Sequence, residues 1–204
     1  MNQVEVLKKF GGLYIADENT YKMGIDQRIT KQIAKRFKDL TILETCTGAG
    51  FTTISLAKVA KKVITIEINQ NNQNQAKQNI QIAGYSDKVD FILGDALDNN
   101  LLVTLKNIDA ALLDPDWNDI GITHVYKFKN SNMKPPADIL LKTVLNITQN
   151  ILLILPPFLS ENEFDDLKEY ELQKIYLDGE LVLFCIYFGS LKRIIGVSQM
   201  NISE

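Results

Sequence analysis

The stretch Leu43-Glu44-Thr45-Cys46-Thr47-Gly48-Ala49-Gly50 constrains this chain more than any other. A short apolar run, Thr41-Ile42-Leu43, leads into an acid and two glycines, and Phe51 to Lys61 follows with a helical pattern. The backbone must therefore pass from a strand through a tight turn into a helix. Gly48 and Gly50 let it run close to a ligand, because no Cβ stands in the way. A dinucleotide fingerprint wants a third Gly or Ala three positions after Gly50, where this chain has Thr53. Glu44 is no part of that fingerprint. The plain alternative is an ordinary strand-to-helix turn.

From residue 41 onward, strand and helix patterns alternate. Val63 to Glu67, Val89 to Leu93, Ile108 to Leu113 and Ile151 to Leu155 read as buried strands. Asn69 to Ala83, Leu97 to Lys106, Asp138 to Thr148 and Ser160 to Lys168 read as helices, and Gly84 suits a C-cap. Leu172 to Leu177 and Leu181 to Phe188 flank Asp178-Gly179, a hairpin signal. The pattern predicts an α/β fold: a doubly wound, mostly parallel seven-stranded sheet with an antiparallel closing hairpin and helices on both faces. Residues 1–40 read as a helical extension and residues 41–204 as the main domain. In the extension, Asp26 to Phe37 carries Arg28, Lys31, Lys35, Arg36 and Lys38 on its polar side, either a solvated face or a surface for phosphates.

In such sheets ligands bind at the carboxyl ends of the strands. Glu44 to Gly50, Glu67, Gly94-Asp95 and Asp114-Pro115-Asp116-Trp117 collect there. Glu44 suits a ligand with a cationic amino-acid end, such as S-adenosylmethionine. Glu67 lies nineteen residues after Gly48, a distance that suits an acid accepting ribose hydroxyls; the alternative is a cap for the next helix. Asp95 suits an adenine amino group or, equally, the N-cap of the helix near Leu97. An exocyclic amino nitrogen on a base is a poor nucleophile, because its lone pair is delocalised into the ring. Asp114 and the Pro115 carbonyl can accept its two hydrogens and localise that pair. Trp117, the only Trp, offers a stacking face or a core aromatic.

Composition removes other chemistries. The net charge of −3 gives no global field for nucleic acid, so any such contact is local. The loop from Ile122 to Pro136 interleaves His124, Tyr126, Lys127, Phe128, Lys129 and Lys134 without an acid, a pattern that suits single-stranded RNA as well as a solvated loop. One His and two Cys leave no metal-ligand spacing and no disulfide framework. Cys46 reads as a small packing residue rather than a nucleophile. No signal peptide or membrane-length apolar run is read, and a reduced, cytoplasmic chain is expected.

These residues resemble the class I S-adenosylmethionine-dependent methyltransferases. More narrowly, residues about 20–193 resemble the RNA cap guanine-N2 methyltransferases of the trimethylguanosine synthase type. Glu44-Thr-Cys-Thr-Gly-Ala-Gly50, Ile66-Glu67-Ile68-Asn69 and Gly94-Asp95 carry the general likeness. Asp114-Pro-Asp-Trp117, Leu153-Ile-Leu-Pro-Pro157 and Tyr187-Phe-Gly-Ser-Leu-Lys-Arg193 carry the narrower one. The resemblance implies a Rossmann-like fold and S-adenosylmethionine as cofactor. It places Glu44, Thr45, Cys46, Gly48, Gly50, Glu67, Ile68, Asp95 and Ala96 at the cofactor. It makes Asp114, Pro115 and Trp117 the catalytic set, with RNA met through Trp117 and the loop Tyr126 to Lys134. The fourth-strand motif departs from the family at Asp116, which replaces a second Pro, and at Asn118-Asp119, which replace two glycines. The leading expectation is methyl transfer to an amino group of RNA, at guanine N2. Alternatives are amino methylation of another base or a small molecule, and a non-catalytic binding module.

Overall fold

The computed structural model describes residues 2–117 and 125–203. The chain opens with three short helices, α1 (Gln3–Phe10), α2 (Glu18–Met23) and α3 (Gln27–Ala34). Then β1 (Thr41–Thr45), α4 (Phe51–Val59), β2 (Lys62–Glu67), α5 (Gln70–Ala83), β3 (Val89–Leu93), α6 (Asn99–Leu102) and β4 (Ala110–Leu113) alternate. The rest comprises α7 (Ala137–Val144), β5 (Ile151–Leu155), β6 (Glu171–Leu177), β7 (Glu180–Tyr187) and β8 (Gly196–Ile202).

Among the described residues the strands form one eight-stranded sheet in the order β3-β2-β1-β4-β5-β7-β6-β8. β1 to β5 are mutually parallel, β7 is antiparallel to both β5 and β6, and β8 is parallel to β6. The sheet class matches the sequence expectation, but the count is eight strands, not seven. The extra strand, β8, lies at an edge and alternates half-buried and exposed residues through Val197, Ser198, Gln199 and Met200. A strand bonded on one side needs no continuous apolar run, so its pattern is weak. The hairpin behaves as its sequence demands: Asp178 and Gly179 both take positive φ, 53° and 90°, as a tight two-residue turn requires. Ser160 to Lys168, expected as a helix, forms only a 3-10 turn over Glu161–Phe164.

Side chains from successive strand residues go to opposite faces. Ile42, Leu112, Leu152 and Cys185 join the core under α1, α3, α4 and α5, while Leu43, Leu113, Leu153 and Ile186 join the core under α6 and α7. The amino-terminal helices share the first of these cores. Phe10 stacks on Phe51 at the start of α4, with centroids 3.5 Å apart and planes 5° apart. The boundary drawn at residue 40 in the sequence is therefore not a boundary in packing.

A buried ion pair fixes that segment to the far side of the sheet. Arg36 donates both guanidinium nitrogens to Glu171 at 2.7 and 2.9 Å, and a third bond goes to the Leu191 carbonyl at 2.6 Å. Its guanidinium lies 3.7 Å from the Tyr187 ring centroid. Glu171 also accepts from the Arg193 backbone N–H and the Ser198 hydroxyl, which ties β8 into the same knot. Burial by itself would raise the Glu171 carboxyl, but these donors outweigh it and hold the group at about 2. Arg36 is thus not available to phosphates, and Arg28 pairs with Asp26 and Asp178.

Breaking a buried pair leaves an uncompensated charge, so Arg36→Ala should cost about 3–5 kcal/mol in chemical unfolding. Because the folded-state value of Glu171 lies below its usual 4.5, its contribution is complete above pH 4.5 and disappears as the pH falls toward 2. An acid titration of stability should therefore be shallower for Glu171→Gln than for the wild type.

Candidate active site

The order of the sheet sets the place. The chain leaves β1 toward β2 and β3, then returns to lay β4 on the other side of β1. The carboxyl ends of β1 and β4 thus face a crevice between connections that leave in opposite directions. A cavity of about 570 Å³ lies there, lined by residues from the 46–52 turn, the β2 end, residues 94–97 and the Asp114 to Trp117 segment.

The Gly turn is shaped for it. Gly48 has φ +56°, and a Cβ built there would meet nothing within 4 Å; Gly48 lines the cavity. Gly50 serves a different end. It caps α4 at φ +80°, and a Cβ there would lie 3.1 Å from the Ala76 Cβ, so its lack of a side chain lets α4 and α5 approach. Cys46, with φ +62°, lines the cavity. Burial, followed by the charges of Asp114 and Glu67, pushes its thiol far up, so it stays neutral.

Glu67 is buried and lines the cavity. One carboxylate oxygen accepts the Gly48 N–H at 2.8 Å and the other accepts the Asn69 N–H at 2.8 Å. The following helix is capped by Asn69, whose side chain accepts from Asn71 and Asn72. Ile68 is exposed and forms an apolar wall, and Ala96 is buried beside it in the lining. Asp95 accepts the Leu97 N–H at 2.8 Å, while the cap of α6 is Asp98, three residues later.

Glu44 does not line the cavity. It is 2% exposed and points behind the turn, where Thr53 and Thr65 donate to one carboxylate oxygen at 2.6 and 2.7 Å. Thr65 also bonds Thr47. Thr53, where the dinucleotide fingerprint would carry a small residue, therefore joins α4 to β1, and Thr65 joins β2. Thr45 is buried and off the cavity.

Asp114, Pro115, Asp116 and Trp117 form the opposite wall. Burial, then the neighbouring charges of Glu44 and Asp116, pushes the Asp114 carboxyl up to about 8. Burial, against the two threonine bonds, puts Glu44 at about 7. The Asp116 backbone exchanges two hydrogen bonds with Lys134, at 2.8 and 2.9 Å, which brings Lys134, Pro135 and Pro136 over the cavity. Trp117 is half-buried, edge-on to Tyr126 with centroids 6.3 Å apart. It also lines a second groove of about 420 Å³ between the amino-terminal helices and the β6–β7 hairpin, where Lys8, Lys9 and Lys22 mix with Glu5 and Asp26.

The basic and aromatic loop is partly used by the fold. Phe128 is 5% exposed, Lys129 pairs with Asp166 at 2.7 Å, and Glu163 accepts the backbone N–H groups of both. Tyr126, Lys127 and Lys134 remain at least partly open to solvent. Asn118, Asp119 and His124 lie outside the described residues. Among the described residues no group of three or more His, Cys, Asp or Glu could hold a metal ion, and no helix is long and apolar enough to cross a membrane. Both cysteines are free thiols.

The family model for RNA cap guanine-N2 methyltransferases matches residues 39–187, which run from the start of β1 to the end of β7. The chain belongs to this family.

Solved structures repeat the fold at low sequence identity. A candidate methyltransferase from Porphyromonas gingivalis W83 matches 93% of this chain and 48% of its own length, with a TM-score of 0.77 at 18% identity. TrmK from M. capricolum, solved with S-adenosyl-homocysteine, covers 82% of this chain and 69% of its own, at a TM-score of 0.54 and 18% identity. The O-methyltransferase TomG from Streptomyces achromogenes, solved with SAM, covers 92% and 96%, at a TM-score of 0.54 and 17% identity. Among curated proteins, the catechol O-methyltransferase of Mycobacterium tuberculosis is 35% identical over 78 residues, 37% of this chain and 36% of that protein. The chain thus spans about a third of that relative and about half of the P. gingivalis chain.

The sequence reading did not anticipate that Thr20, Lys22, Met23, Gly24 and Ile25 also line the cavity of this family member. The available signal was Gly24: a Cβ there would lie 2.7 Å from both the Phe10 and Phe51 rings, so the turn after α2 must pass close to the start of α4.

Glu44 and Asp114 keep their protons in the fold above their ordinary values of 4.5 and 3.8. The folded state then binds more protons than the unfolded chain, so stability should fall as the pH rises from about 4 through about 8. Thermal melts of the ligand-free protein across that range should show this decline, and Glu44→Gln, which keeps an acceptor for both threonines, should flatten it.

Proposed function

We propose that the chain is an S-adenosylmethionine-dependent N-methyltransferase acting on an exocyclic amino group of RNA, with guanine N2 as the target. The observation that carries this reading is the placement of Asp114, Pro115 and Trp117 along one wall of the cavity whose other wall is the Gly turn and Glu67.

The residues fit the cofactor. The space left at Gly48 accommodates a ligand pressed against the backbone. In this reading Glu67 would accept ribose hydroxyls, Ile68 and Ala96 would flank an adenine, and Asp95 would accept its amino group. Cys46 and Gly48 would line the amino-acid end. Glu44, Thr45 and Gly50 support the site from behind: Glu44 through Thr53 and Thr65, and Gly50 through the contact with Ala76. When bound, S-adenosylmethionine supplies a methyl group on a cationic sulfur.

The chain's own residues do the rest. Trp117 stacks the base, and Asp114 with the Pro115 carbonyl accepts the two amino hydrogens, aiming the nitrogen lone pair into the cavity. Fixing that approach is worth a large share of the barrier. The Asp114 carboxyl, raised by its buried surroundings, can hold the proton that the amino group loses. Asp116, where the family has a second proline, adds negative potential beside the indole and favours a cationic base. Support for RNA comes from the family.

Transfer of labelled methyl to RNA, followed by nucleoside digestion, tests the reading directly; label in N2-methylguanosine is expected. Asp114→Ala should lower kcat with donor affinity retained. Asp114→Asn should remove the rise in rate between pH 6 and about 8 that ionisation of the carboxyl produces in the wild type. Trp117→Ala should weaken acceptor binding by about 1–3 kcal/mol, with Trp117→Phe recovering part. A Trp117→Ala protein that instead melts early, with unaltered acceptor binding in the folded fraction, would make the indole a packing residue. Label on a small molecule and none on RNA would redirect the substrate assignment.

A further inference from the structure

A second charged surface lies at the opposite pole of the sheet. Lys38 precedes β1, Lys58 ends α4 and Lys61 precedes β2; together with Lys88 and a single acid, Asp39, they ring a depression. Lys31 on α3 and Lys35 just after it are also exposed and lead toward Lys38, so that the basic residues run as a stripe along the chain. The chain as a whole carries a net charge of −3, so this is a local reversal of sign.

Three of these lysines lack the carboxylate partner that five other lysines have. Lys22, Lys62, Lys129, Lys174 and Lys192 each pair with a carboxylate. Among the described residues, Lys38, Lys58 and Lys61 have no acidic partner within salt-bridge distance, and all three are exposed. Lys88 is committed to the fold: its ammonium donates to the Ala57 and Ala60 carbonyls at 3.1 Å and closes the end of α4. That bond also offsets the negative end of the helix, which would otherwise repel an anion at this place. Lys31 and Lys35 bond only to the side-chain oxygens of Gln27 and Gln32.

We propose that this stripe binds the phosphate backbone of the RNA acceptor at a distance from its target base. The inference rests on the reading of RNA as substrate. A row of point charges without aromatic side chains matches a linear polyanion whose bases are not being read. The six residues of β2 put about 20 Å between Lys61 and Glu67. A short acceptor therefore reaches the cavity alone, and a long one reaches both poles.

The test compares two single-stranded RNAs carrying the same target, of about 4 and about 30 nucleotides, the first within one site size and the second well beyond it. Their affinities are followed against salt for the wild type and for Lys38→Ala/Lys58→Ala/Lys61→Ala, with a thermal melt of each. For the long RNA, the variant should lose about 2 in the slope of log K against log salt, near 0.7 for each charge removed. Its affinity for the short RNA and its kcat should match the wild type, and the Lys→Arg triple variant should restore the slope. An unchanged slope for the long RNA in the Ala variant, with Trp117→Ala still impairing both RNAs, overturns the stripe and leaves the substrate reading intact. An equal loss for both RNAs also overturns it, since the lysines would then act as a general field. A wild type that binds neither RNA overturns both. Binding of an acidic protein with no effect of the lysines on RNA would assign the surface to a different partner and overturn the proposal.

Discussion

The pair between Arg36 and Glu171 holds together parts of the chain that the sheet alone leaves apart. Arg36 follows α3, before the first strand, and Glu171 opens β6. Two guanidinium bonds, the Leu191 carbonyl, the Arg193 N–H and Ser198 meet in one buried cluster. Residues 20–25, which stand over the cavity, are held separately, through Thr20 and Asp17 to Gln75 and through Gly24 against Phe10 and Phe51. A buried pair is weak evidence for net stability, since an apolar pair of the same shape can do as well. Its directional bonds instead fix a unique placement of α3 against β6 and β8.

The second constraint is the convergence of carboxylates at the strand ends. Glu44, Glu67, Asp114 and Asp116 act on one another, and Asp114, Glu67 and Asp116 act on the Cys46 thiol. Such crowding is unfavourable in the ligand-free fold, and a nearby positive charge relieves it. The same burial that destabilises Asp114 as an anion gives it a proton affinity suited to chemistry near neutrality. Structural cost and proposed function thus come from one arrangement.

Much of this was legible in the chain because local signals agreed. Gly84 ends α5 with φ +78°, Asp178-Gly179 turns the hairpin, and the apolar runs of β4 and β5 are buried throughout. The motif residues from Glu44 to Trp117 that were expected at the strand ends do line one cavity, with Glu44, Thr45 and Gly50 as exceptions. Glu44 was legible as an acid at a strand end but not in its direction, which depends on two threonines, nine and twenty-one residues away. β8 was missed because half of its side chains face solvent. Arg28 and Arg36 read as part of an exposed basic face, solvated or phosphate-facing, because acidic partners of each lie 135 to 150 residues away in sequence. Long-range pairing of this kind leaves no periodicity to read.

Trp117 belongs to two compartments at once, the 570 Å³ cavity and the 420 Å³ groove. A wall held in common gives one side chain two neighbours. Anything that shifts the indole from one side changes the shape of the other space as well. Any coupling between the two spaces through it would be equal in both directions. A substitution at this one position therefore alters both spaces together, and its effects on them are not independent.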